Sequence, residues 1–416
     1  MRTLIHLLAV IVMVSVSAKA QDEIFIYGKV TTIDSKVYEG PIRWGKEEVY
    51  WVDIFNAAKE SNENLQYLSK QDREELDDRN QWDQWEGNWG GNFKRWLGNW
   101  DREYGSDYTH QFACQFGEIK SIKPSGRNDV QVIMQNGKRY DLEGEGYNDV
   151  GTSVRVMDPE LGEVDIDWGR IEKIDFMKTP KQLANRFGKP LYGTVDAYGQ
   201  KFTGYIQWDH DERLSIDKLD GDTDDGDISI EFGKIKSIER QAGSSKVILK
   251  SGRELRMDDS NDVDSGNRGI IIMNNELVAI DVPWREFDKV TFEEAPAAVL
   301  SSYDQFAVQQ ELSGTVTNRS GEKLSGRIIF DLDEENNYEL LQGKQDDYEF
   351  ITPFRNVKRV EVLSQSRSVL ELRSGKKITL EDAQDVNERN QGVLVFDKAN
   401  KSQYLRWDEV QSIDFN

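Results

Sequence analysis

Asp220, Asp222, Asp224 and Glu231 stand at offsets 1, 3, 5 and 12 of a short acidic stretch. Those are the offsets at which a calcium loop presents oxygen ligands to a hard divalent cation. The sixth position of such a loop needs glycine for its sharp turn, but here it is Asp225, with Gly226 one residue late. No amphipathic helix pattern flanks the stretch. It reads as a solvated acidic hairpin, with a weak, irregular Ca2+ site as the alternative.

A second suggestive stretch is aromatic. Trp82, Trp85, Trp89, Phe93, Trp96 and Trp100 step by 3, 4, 4, 3 and 4, which would place them on one helical face. Gly87, Gly90, Gly91 and Gly98 interrupt the run, each costing about 1 kcal/mol in a helix interior. A broken helix or a compact loop is therefore expected, with a better helix upstream from Asn62 to Arg79. Three uses of the rings stand open: covering one side of the neighbouring module, stacking on glycans or docking a protein partner, and insertion at a membrane interface. The acidic balance of residues 57–107 weighs against the last.

Catalytic parts are scarce. Beyond the N-terminal apolar segment only His110 and His210 remain, so a histidine-based triad or metal site is poorly supplied. Gly-x-Ser-x-Gly, His-Glu-x-x-His and P-loop patterns are missing. Paired-acid glycoside hydrolysis stays open among so many carboxylates, but no pair stands out. We assign no catalytic residue and no cofactor beyond the weak Ca2+ alternative. The single cysteine, Cys114, shares a strand face with Phe112 and Phe116 and reads as a small buried hydrophobe.

These residues must be positioned by a repeated unit. Tyr27-Gly28-Lys-Val30 with Gly40-Pro-Ile42-Arg-Trp44, Tyr192-Gly193-Thr-Val195 with Gly204-Tyr-Ile206-Gln-Trp208, and Ser313-Gly314-Thr-Val316 with Gly326-Arg-Ile328-Ile-Phe330 form matching hairpins. A later landmark reads Phe116-Gly-Glu-Ile119, Phe232-Gly-Lys-Ile235 and Phe354-Arg-Asn-Val357. Each copy closes on an aromatic followed by apolar residues three and six on and by phenylalanine at eight: Trp168 to Phe176, Trp284 to Phe292, Trp407 to Phe415. That spacing predicts one tight 3₁₀ turn feeding a strand. Because the mid-unit and closing landmarks share a form, each unit divides into two related halves, each small enough to have trouble making its own core, so the halves are expected to pack together or to form two small barrels sharing an interface. Asp149, Asp262 and Asp385 recur before a valine and are expected to be architectural, as Asx-turn residues. Trp168, Trp284 and Trp407 are expected in the core.

Glycine-punctuated strands joined by a single helical turn resemble small β-barrels of the SH3-like, Sm-like and PRC-barrel kind. The resemblance implies a mainly β chain of three tandem barrel units, with a partly helical Trp-rich insertion in the first. It implies no activity. The expected layout is a signal peptide at 1–20, unit 1 at 21–177 with its insertion at 57–107, a linker at 178–190, unit 2 at 191–293, a linker at 294–311 and unit 3 at 312–416.

Arg2, the apolar run Leu4 to Val16 and the small residues up to Ala20 form a secretory signal. No later segment approaches the roughly 20 apolar residues of a membrane helix. The chain is thus expected in a periplasm or outside the cell. Its formal net charge of −23 repels phosphate backbones, which disfavours nucleic acid. The sequence favours an exported, non-catalytic binding or scaffold protein. The alternative is a carbohydrate-binding or carbohydrate-active protein that uses the insertion.

Overall fold

In the structure, a computed structural model, the described residues are 22–59, 61–76, 110–144, 147–296 and 300–416. The chain is mainly β, in large antiparallel sheets. Each of the three segments marked by the repeat carries ten strands, from Tyr27–Thr32 to Ile171–Phe176, from Tyr192–Ala197 to Phe287–Phe292, and from Ser313–Asn318 to Val410–Phe415. Their first strands alternate buried and half-exposed residues, and Val30, Val195 and Val316 are fully buried at matching places. This is the period-2 pattern read from the sequence.

The ladders of the first segment run fourth, third, seventh, sixth, fifth, tenth, first, second, eighth, ninth. The ordering has a hidden symmetry. Strands one to five and six to ten are the two related halves, and within each half the first two strands pair, as do the next two. The remaining partners come from the other half: the third strand lies on the seventh, and the eighth on the second. Each half therefore donates a hairpin to the other, and neither completes a sheet alone. The third segment repeats all of these pairings. In the second, the third and fourth strands form a separate two-stranded sheet, joined to the seventh only through the bridge Asp222↔Asp258.

The repeated glycines follow from this crowding. Gly28 faces Gly40 across the first ladder, as Gly193 faces Gly204 and Gly314 faces Gly326. A Cβ at Gly28, Gly193 or Gly314 would strike a carbonyl oxygen of the tenth strand, and one at Gly40, Gly204 or Gly326 a carbonyl oxygen of the eighth. The expected 3₁₀ turns form at Phe116–Glu118, Trp168–Arg170, Phe232–Lys234, Phe354–Asn356 and Trp407–Glu409, each running straight into a strand, whereas the one expected at Trp284 is a plain turn before Phe287–Phe292.

Two expectations need correction. The ladders do not close into barrels: in the first segment the fourth and ninth strands remain open ends. The second and third segments are also not separate sheets. The ninth strand of one (Ala279–Val282) pairs with the fourth of the other (Tyr348–Pro353), making one sheet of 18 strands. Described residues of the expected linker 294–311 pack on the first segment. The Tyr303 ring lies 4.5 Å from that of Trp51, and Phe306 is buried against Gly117. Residues 181–186, within the linker expected at 178–190, bend without forming a helix.

A recurring carboxylate ties the segments together. Asp53 Oδ2 accepts the Val49 and Tyr50 N–H groups, Asp217 Oδ2 those of Arg213 and Leu214, and Glu339 Oε2 those of Glu335 and Asn336. A cation from another segment approaches the second oxygen or lies alongside. Arg213 Nη2 donates to Asp53 at 2.7 Å, Arg43 to Asp217 at 2.6 Å, and Lys59 Nζ to Glu339 at 3.1 Å. Arg213 and Asp53 are each 1 % exposed. Removing one member of a buried pair strands the other's charge in low dielectric. Arg213→Ala should therefore lower the unfolding free energy by about 3–5 kcal/mol, read from urea midpoints, whereas loss of an exposed pair such as Lys70–Glu74 should barely register.

Candidate functional site

The Trp-rich insertion leaves the first segment between Lys59 and His110, the paired ends of its third and fourth strands. Its first residues do not project freely. Asn62 caps a 3₁₀ turn at Glu63–Tyr67, its side chain accepting the Asn64 N–H. Both asparagine side chains then donate to one carbonyl of the third segment, Leu332 O, at 3.1 Å each. Leu68 and Leu76 bury against Ile329, Leu332, Leu394 and Phe396, and Tyr67 sets its ring edge-on to Phe396 at 4.9 Å. The expected helix from Asn62 to Arg79 is thus split. Ser69 and Asp72 cap a fresh start, and residues 70–76 are helical. Ser and Asp compete for nearby backbone groups, which is why they begin helices rather than continue them.

Beneath this clasp sits Lys59. Its ammonium is 2.7 Å from Asp333 Oδ1 and 3.1 Å from Glu339 Oε1, with Asp333 O also accepting. Burial opposes its charge, but Asp333 and Glu339 override burial and hold it above the ordinary lysine range. Alongside, the Tyr140 and Tyr338 hydroxyls share a 2.7 Å hydrogen bond and Lys138 pairs with Glu335. The root of the insertion is therefore a desolvated, polar seam between the first and third segments.

Trp82, Trp85, Trp89, Phe93, Trp96 and Trp100 lie outside the described residues. The other six tryptophans, Trp44, Trp51, Trp168, Trp208, Trp284 and Trp407, are all at most 8 % exposed. The repeated closing tryptophans are thus core, as read from the sequence. Cys114 is likewise fully buried, and burial pushes its thiol well above the usual range.

The acidic hairpin pairs Lys218–Thr223 with Gly226–Glu231. Its register sets Asp220 opposite Ser229 and Asp222 opposite Asp227, leaves Asp224 in the turn and places Glu231 at the far end opposite Lys218. Glu231 also pairs with Lys234 at 3.3 Å. The carboxylates that do gather are Asp222, Asp227, Asp258 and Asp259, beside a groove of about 380 Å³. Partial burial and then Asp227 raise the pKa of Asp222. Among the described residues no group of three or more His, Cys, Asp or Glu is placed to hold a metal ion.

The recurring Asp149, Asp262 and Asp385 are architectural by longer reach than an Asx turn. Their Oδ2 atoms each accept, at 2.7 Å, the N–H of a third-strand residue: Asn56, Asp220 and Gln342. Asp149 O and Asp262 O also accept the indole N–H groups of Trp44 and Trp208 at 2.9 Å. Near each aspartate lies a second acid that sequence reading missed: Glu48, Glu212 and Glu334. The signal was available, since each follows the matched Trp44, Trp208 or Phe330 by four residues. Burial and then the neighbouring aspartate raise Glu212 to about 9 and carry Glu48 and Glu334 well above the carboxylate range. Burial lifts Asp385 to about 7 and Asp262 to about 6, against the N–H bonds they accept.

Comparison with protein families and with characterised proteins finds no match to this chain. No helix among the described residues is long and apolar enough to cross a membrane.

The raised carboxylates fix a pH dependence. The folded chain keeps protons that the unfolded chain has already released, so stability declines as pH rises through the folded-state values of about 6 to about 9. Melting temperatures should fall from mildly acidic to alkaline buffer, and Glu212→Gln should flatten the upper part of that profile. A melting temperature that climbs with pH would contradict the assignment.

Proposed function

We propose that this chain is an exported, non-catalytic binding or scaffold protein, and that its contact surface is the Trp-rich insertion. The supporting observation is the double anchoring of the insertion: one root is the third-to-fourth strand hairpin, and residues 62–76 are clasped to the third segment. A rigid seat lowers the ordering cost that a partner must otherwise meet on binding. Three tandem β segments, the first and third each held together by hairpins exchanged between their halves, would supply the frame. The leader-like residues 1–20 support export.

A glycan is the second reading. It draws on the density of rings: five of the 11 tryptophans fall between Trp82 and Trp100. Rings of this kind offer large, rigid contact faces at low entropic cost.

Both readings are tested with a variant in which a short Gly-Ser linker replaces residues 78–108, leaving the clasp and the strand pair intact. The variant should melt like the full chain. Acrylamide should quench the full chain and barely touch the variant, because its six tryptophans are buried. A partner captured by the full chain should be lost by the variant, and retained capture would refute the placement. Fluorescence changes with a glycan panel, in the full chain only, would select the carbohydrate reading.

A further inference from the structure

The ladder joining the second and third segments has three rungs: Ala279↔Ile351, Ile280↔Phe350 and Asp281↔Glu349. Two are apolar and the third sets two acids face to face. Like charges directly opposite on a ladder are destabilising, and both residues here are at most 7 % exposed. Something must neutralise one of them.

The surroundings supply two cationic groups. On the second segment, His210 Nε2 is 3.1 Å from Asp281 Oδ1. On the third, Lys344 Nζ is 3.2 Å from Glu349 Oε1, and Lys344 is itself paired in register with Glu381. Glu349 Oε2 is buried with no hydrogen-bond partner, as suits a protonated carboxyl more than a carboxylate. The pair is tightly enclosed. Gly269, at φ 135°, leaves no room for a side chain, since a Cβ there would lie 2.9 Å from Asp281 Oδ1 and 3.2 Å from His210 Nε2. The other charged groups around His210 are Asp209, Asp211 and Arg268, with Arg268 Nη2 at 2.5 Å from Asp211 and 3.5 Å from Asp209. Glu47 of the first segment faces Asp211 and Arg268 from beyond.

We propose that this rung is a proton-dependent latch. Shared protons on His210 and Glu349 close the joint between the second and third segments in mildly acidic solution, and their loss loosens it as pH rises.

Titration tendencies agree in sign. Burial opposes a charged imidazole at His210, but Asp281 outweighs burial and raises its pKa. Burial, and then Asp281, lift Glu349 to about 7 against Lys344 and His210. For both groups the folded value exceeds the unfolded one, so the stabilisation is present in acid and lost as pH rises, for Glu349 through about 7. With both protons gone, two carboxylates face each other with Lys344 as the nearest remaining counter-charge.

Amide hydrogen exchange on the full chain tests the latch. Protection factors, corrected for intrinsic exchange, are compared at about pH 6 and about pH 8.5. Residues 279–281 and 349–351 should lose about tenfold in protection. The ladder of Ile328–Phe330 with Val393–Val395, inside the third segment, should change far less. Glu349→Gln removes one of the two titrating groups and should shrink the difference, leaving the part that His210 contributes. Lys344→Met, which removes the counter-charge, should instead move the midpoint upward, and this second variant keeps the test decisive should the first fail to fold. Equal protection at both pH values, or a Glu349→Gln variant as pH-dependent as the parent, would overturn the proposal.

Discussion

One side chain at the same turn of each segment does two jobs. Asp53, Asp217 and Glu339 satisfy the N–H groups of their own turns, and each also meets a cation carried by a different segment. A carboxylate held by two backbone donors is pre-oriented, so little entropy remains to be lost when Arg213, Arg43 or Lys59 arrives. Burial makes the pairing mandatory rather than optional, because any docking that left Arg213 or Asp53 without the other would strand a charge in low dielectric. The relative placement of the segments follows from that constraint. An apolar cluster then forms across it, with Tyr50 against Tyr205 and with Tyr338 and Ile351 joining residues of the first segment.

Within a segment the governing constraint is the exchange of hairpins between halves. The third strand on the seventh and the eighth on the second make the two halves mutually dependent. The aspartates at 149, 262 and 385 reinforce this, each reaching from the second half to a third-strand amide of the first. Glycine is required where the strands of the exchange lie closest, as at Gly193 against Thr291 O and Gly326 against Phe396 O. The same crowding buries acids without full compensation, which is why the pKa values of Glu212 and its counterparts are raised.

Much of this was legible in the residues. Alternation and glycine spacing located the strands, the aromatic-x-x-apolar spacing located the 3₁₀ turns, and the repeat located matched segments, because all of these are short-range consequences of backbone geometry. The core role of Trp168, Trp284 and Trp407 was legible from their repetition. The longer reach of Asp149 to Asn56 was not, since a side chain's partner 93 residues away leaves no local periodicity. The helix expected from Asn62 to Arg79 failed at Ser69, where local capping and the apolar face of the third segment together outweighed propensity. The calcium spacing at Asp220, Asp222, Asp224 and Glu231 follows chain order, but an antiparallel register separates its last member from the rest.

Sequence alone determined that this is a strand-rich chain with a thrice-repeated aromatic and glycine pattern, an acidic surface and a concentrated run of tryptophans, because composition and nearest-neighbour sterics carry those properties. Tertiary structure alone decided that the ladders stay open, that the second and third segments share one sheet, and that Asp281 meets Glu349 and Lys59 meets Glu339. Those are encounters between residues far apart along the chain. They are selected by burial and charge compensation over the whole fold, and no local spacing records them.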